Sequence, residues 1–135
     1  MNAFIVDLKN RPGEFAKVAE ALAPKGINIT GFTGATCGDS GTVVLTTNDE
    51  AATRRALTDA GHTYRETELI LVGVPDQPGS LAKVTRKLAD AKVNIEAALP
   101  TGMSGTTAHV AFATDDPAKA RNAVSEWLLL APAGR

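Results

Sequence analysis

The 135-residue chain holds one cysteine, Cys37, so no disulfide can form within it. A reducing compartment, the cytoplasm, is the expected setting. Aromatic residues make up only 4% of the chain, which removes the stacking platforms used by proteins that bind single-stranded nucleic acid. No apolar run approaches the ~20 residues that span a bilayer. The opening "MNAFIVDLKN" lacks the basic start and long apolar stretch of a secretory leader. Charge is balanced, with 14 Lys and Arg against 15 Asp and Glu. Neither nucleic acid nor an anionic membrane surface is therefore an expected partner. The two histidines, His62 and His109, stand far from each other and from Cys37, so no metal-ligand spacing is present and no metal or cofactor is expected.

What the chain does have is a sentence written twice. "NRPGEFAKVAEALAPKGINI" (10–29) and "DQPGSLAKVTRKLADAKVNI" (76–95) are both twenty residues long and match at nine positions. The period is half the chain, which marks a duplicated domain rather than a solenoid. The boundary expected from it divides the chain into residues 1–67 and 68–135.

Each half shows the same order of signals. In the first, "AFIVDL" is a strand and Pro12-Gly13 opens a helix, with proline at the first helical position. Phe15, Val18 and Leu22 form one helical stripe facing the core, and Gly26 is a left-handed stop. "INITGFTGAT" is a second strand adjoining the first, "CGDSG" a turn and "TVVLTT" a third strand. A helix follows, capped by Asn48 or Asp49 and stopped by Gly61, and then a short strand, "HTYRET". In the second half "ELILVGV", the stripe Leu81, Val84 and Leu88, "VNIEAALP", the turn "TGMSG" and "TTAHVAFAT" take the same places. A helix begins at Pro117, capped by the acidic pair before it. Little chain is left for a last strand. The fold class expected is α+β: two ferredoxin-like βαββαβ modules in tandem, antiparallel sheets with helices on one face. The other face needs a cover, and a second copy of the chain would supply one.

A strand, a Pro-Gly turn, an amphipathic helix and Asn-Ile opening the next strand resemble the ACT domain, a small regulatory module that commonly senses amino acids. The residues carrying this resemblance are "LKNRPGEFAKVAEALAPKGINI" and "VPDQPGSLAKVTRKLADAKVNI". It implies a ligand held at the strand-to-helix turn and at a module or subunit interface. The positions it marks are Asn10, Arg11, Pro12, Gly13, Asn28 and Ile29, and in the second half Asp76, Gln77, Pro78, Gly79, Asn94 and Ile95. In serine-binding members the contacting amides match Asn10 and Asn28. Leu8 stands where some of those members have a histidine, and Asp76 replaces Asn10, so the two halves should differ. The family's habit is a homodimer, or a module that acts on an enzyme partner.

Physical chemistry is consistent with such a site. The first turn of a helix offers unpaired N–H groups and a positive dipole end to a carboxylate. An asparagine amide brings both donor and acceptor. The same residues also have a plain structural use, since Pro-Gly makes tight turns and Asn satisfies them. "GDSG" (38–41) echoes a serine-protease nucleophile, but a Gly/Asp/Ser turn between strands accounts for it. Cys37 has no cationic partner to activate it. The chain is thus expected to be a non-catalytic amino-acid sensor, with a ligand-free assembly module of the same fold as the alternative.

Overall fold

The computed structural model describes residues 1–130. Six strands and four α-helices are found among them: β1 (Asn2–Lys9), α1 (Glu14–Leu22), β2 (Ile29–Cys37), β3 (Ser40–Thr47), α2 (Glu50–Asp59), β4 (Tyr64–Pro75), α3 (Ser80–Asp90), β5 (Ile95–Ser104), β6 (Thr107–Thr114) and α4 (Pro117–Ala123). Two compact units emerge, residues 2–67, and residues 68 onward together with Met1. The α+β class and the twofold β-α-β-β-α order are as the sequence indicates.

In the first unit β3 pairs antiparallel with both β1 and β2. A β-α-β crossover leaves room for that intervening strand, so β2 does not adjoin β1, contrary to the sequence reading. Asp7 N–H donates to the Thr63 carbonyl at 2.9 Å, just before β4. Phe4, Val6, Val43 and Leu45 meet Val18 and Leu22 of α1 and Leu57 of α2 in one buried cluster. The second unit orders its strands β4-β6-β5 and buries Ile70, Val72, Val84, Leu88, Phe112 and Val124 together, with Trp127 packed against them.

Three local expectations are corrected. Pro12 is not the first helical residue: α1 begins at Glu14, capped by Gly13 at φ 86°, and α3 begins after Gly79 at φ 92°. That left-handed backbone is why glycine follows the proline. "HTYRET" and "ELILVGV" are not separate strands but parts of the continuous β4, because no Gly, Pro or Asn interrupts the extended chain at Thr67-Glu68. "CGDSG" and "TGMSG" shrink to two-residue turns, Gly38-Asp39 and Gly105-Thr106. Each has its glycine at positive φ in the first central position, as a tight hairpin requires. The last strand is as short as the sequence indicates: one bridge, between Leu128 and Val72, with Leu129 N–H on the Leu71 carbonyl at 2.8 Å.

The stop of the repeated helix differs between copies. Gly26 sits at φ 72°, whereas Lys92 holds φ 60° in the second copy, where a side chain crowds the following carbonyl. Lys92→Gly is expected to raise stability by about 0.5–1 kcal/mol, read as a shifted denaturant midpoint with unchanged slope.

The copies also differ by one residue. Val6 faces Val43 across the β1–β3 ladder and Val72 faces Val110 across β4–β6. The offset between copies is therefore 66 through α1 and α3 but 67 by β3 and β6. The extra residue is Thr101, where the β5–β6 register shifts between Pro100 and Gly102. Pro100 has no N–H to give to the ladder, which favours a bulge beside it.

Candidate functional site

The β1–α1 turn of the first unit is held by hydrogen bonds to the β2–β3 hairpin. Asn10 N–H donates to the Asp39 carbonyl at 3.0 Å. Its side-chain Nδ2 donates to the Gly38 carbonyl at 2.9 Å. One amide donor of Asn10 is thus occupied by the fold, and its Oδ1 remains an acceptor. Arg11 N–H returns to the Lys9 carbonyl at 3.0 Å, which closes the turn and points the chain into α1.

Beside this turn lies a cavity of about 370 Å³. Its polar edge is formed by Asn10, Arg11 and Glu14, and its apolar wall by Leu8, Phe15 and Phe32. Phe15 and Phe32 meet edge-on, with ring centroids 5.8 Å apart and planes at 67°, a favoured aromatic geometry. Both stay accessible, at 40% and 57%. Phe15 was expected in the core with Val18 and Leu22. It lies on that stripe, but in the first helical turn, beyond the packed cluster and at the cavity mouth. Leu81, its counterpart, is 55% exposed for the same reason.

Glu14 organises the charges at the rim. Its Oε2 accepts from Lys17 Nζ at 2.9 Å and from Arg11 Nε at 3.1 Å. These two bonds, from Lys17 first and then Arg11, lower its pKa from 4.5 to about 2. Because the folded pKa is depressed, the stabilisation is present above the unfolded value of 4.5 and is lost as pH falls toward about 2. Melting temperatures of the protein and of Glu14→Gln should therefore differ at neutral pH and converge across that acid window.

Of the positions marked in the sequence, Asn10 and Arg11 line the cavity. Pro12 and Gly13 are exposed turn residues next to it. Asn28 and Ile29 lie past the other end of α1. A nine-residue helix is roughly 13 Å long at 1.5 Å per residue, so one unit does not bring Asn28 to Asn10. Asn28 makes a reciprocal pair with Asn48 instead: its N–H donates to Asn48 Oδ1 at 2.9 Å, and its carbonyl accepts from Asn48 N–H at 3.1 Å. Ile29 packs at the edge of the core.

In the second unit Asn94 repeats this arrangement with Asp115, at 2.9 and 3.2 Å, and Ile95 packs as Ile29 does. Asp76 N–H is tied to the Thr106 carbonyl at 2.9 Å, while its carboxylate is exposed, as are Gln77, Pro78 and Gly79. The sequence reading missed Glu14, Phe15 and Phe32 as site residues. An acidic residue three places after Arg11 was a visible signal for Glu14. The aromatic pair was not visible, because it depends on β2 passing beside the start of α1.

Residues 69–120 match the family model of the ACT domain. That match lies within the second unit. It is 37% identical over 73 residues to the aspartokinase of Corynebacterium efficiens, a match covering 51% of this chain and 17% of that enzyme. The chain thus spans only a small part of that relative. Among solved structures, a Bacteroides thetaiotaomicron protein superposes with a TM-score of 0.81 at 26% identity, covering 95% of this chain and 90% of the other. The ligand-free regulatory subunit of aspartate kinase from Thermus thermophilus gives 0.67 at 21% identity, covering 93% and 91%. The fold shared with these structures is α+β, with two ferredoxin-like units in tandem. No helix among the described residues is long and apolar enough to cross a membrane.

Proposed function

We propose that this chain is a non-catalytic regulatory module of the ACT type that binds a free amino acid at the β1–α1 turn. The cavity beside Asn10 and Arg11 is the observation that supports it. At about 370 Å³ it lies at the small end of ligand pockets, which run about 300–1,000 Å³, a size suited to one amino acid. The ligand's carboxylate meets the helix start and Arg11, and its ammonium meets Asn10 Oδ1. Asn28, Asn94 and the turn Asp76–Gly79 would contribute where a module or subunit interface brings them to a ligand. Homodimerisation and an enzyme partner, of which the aspartate kinase relatives are the model, would carry the signal. The ligand would act by favouring one association state, by no more than its differential affinity for the two states.

The test is a thermal-shift titration with each of the twenty amino acids, followed in parallel through Trp127 fluorescence. Saturable stabilisation by one amino acid or a related pair is expected. A flat response to all twenty from a cooperatively folded protein would leave the ligand-free assembly module instead.

A further inference from the structure

Resting on that reading of the cavity, we infer that the ligand carries an apolar side chain, aromatic or branched aliphatic, and that the first unit alone takes it. Two accessible phenyl rings, Phe15 and Phe32, meet in the lining of the cavity that also holds Asn10, Arg11 and Glu14. A lysine or aspartate side chain placed there would lose solvent without gaining a partner. An apolar one would remove both rings from water and add an aromatic contact.

The polar edge is suited to a zwitterion's head group. Arg11 commits only Nε to Glu14, so its terminal nitrogens are available to a carboxylate, which guanidinium binds in a bidentate fork. Asn10, with Nδ2 turned to the Gly38 carbonyl, presents its oxygen to an ammonium. Charged and apolar groups thus line one small cavity.

The second unit lacks these parts at the matching places. Gln77 stands for Arg11, which removes the cation, and Asp76 for Asn10, which adds a carboxylate that repels the ligand's own. Ala98 stands for Phe32 and Leu81 for Phe15, so no aromatic pair forms there. The strand wall also changes: Gly34 lines the first cavity, whereas its counterpart Pro100 flanks the bulge at Thr101. The duplication kept the Pro-Gly turn and changed the residues around it.

The experiment is calorimetric titration of the full chain with free phenylalanine, leucine, lysine and threonine, repeated on Phe32→Ala, Arg11→Gln and Leu81→Ala. Phe32 and Leu81 are exposed, so cooperative melting should persist in their variants and is checked first. Phenylalanine or leucine should bind with one site per chain, and lysine and threonine should not. Phe32→Ala should weaken binding ~10-fold, the equivalent of about 1.4 kcal/mol, and Leu81→Ala should leave it unchanged. Binding of lysine or threonine that ignores Phe32→Ala but falls with Arg11→Gln would overturn the apolar class while keeping the amino-acid site. Apolar binding that responds to Leu81→Ala and not to Phe32→Ala, or two sites per chain, would overturn the placement in the first unit. No heat with any of the four, together with a flat response to all twenty amino acids, would overturn the proposed function itself.

Discussion

Leu22→Ala is expected to cost about 2–5 kcal/mol of stability, and Leu88→Ala a similar amount. Leu22 is fully buried and Leu88 is 1% exposed. Each is the last stripe position of its repeated helix, and each packs against strands of its own cluster. Truncation removes transfer free energy and leaves a cavity that a sheet-backed helix can only partly close. Leu22→Met, which nearly conserves volume, should cost less than about 1.5 kcal/mol. Denaturant unfolding measures both. A loss under about 1 kcal/mol for Leu22→Ala would mean that the helix does not seat on the sheet as described.

Gly41→Ala is the second large effect, and it acts on the site. A Cβ at Gly41 would lie 2.6 Å from Thr36 Cγ2, 2.7 Å from the Ala35 carbonyl oxygen and 3.1 Å from Thr36 Cα. The threonine methyl can rotate away, but the backbone atoms cannot move without breaking the β2–β3 ladder. Gly41 pairs with both Leu8 and Thr36, so the strain reaches the strand that leads into the turn. Overpacking of this kind costs about 1–3 kcal/mol. Because Asn10 is anchored on the same hairpin through Gly38 and Asp39, amino-acid binding should fall along with stability. The second unit has Ala108 at the corresponding place, opposite Met103, so that hairpin already accommodates a Cβ there. Ala108→Gly should therefore change stability by only about 0.5–1 kcal/mol. Equal effects of the two substitutions would contradict this difference between the hairpins.

Much of the fold was legible because the repeat writes each element twice. Val18 and Leu22, then Val84 and Leu88, repeat the helical spacing, and Asp49 and Asp116 cap α2 and α4 through Ala52 and Lys119 N–H groups. What the sequence hid was set by tertiary placement. Pro12 looked like a helix start because the left-handed Gly13 behind it has no signature beyond being glycine. The bulge at Thr101 changes the offset by one residue, which an ungapped comparison of the two helices does not reach.

The site was legible in part for the same reason. Asn10 and Arg11 stand beside a Pro-Gly turn that a strand-to-helix motif makes recognisable. Phe15 has the periodicity of the core. Only the position of β2 shows that the first helical turn overhangs the cluster and meets Phe32. Resemblance alone joins Asn28 to Asn10, and within one unit the length of α1 keeps them apart.

We propose an amino acid bound at the β1–α1 turn of the first unit. The most direct test of this proposal is backbone amide NMR of the labelled protein, titrated with the amino acid that gives the largest thermal shift. Saturable shifts are expected at Leu8–Phe15 and Phe32–Thr36, with the matching residues 74–81 little changed. Shifts confined to α3 and Trp127, or none anywhere, would contradict it.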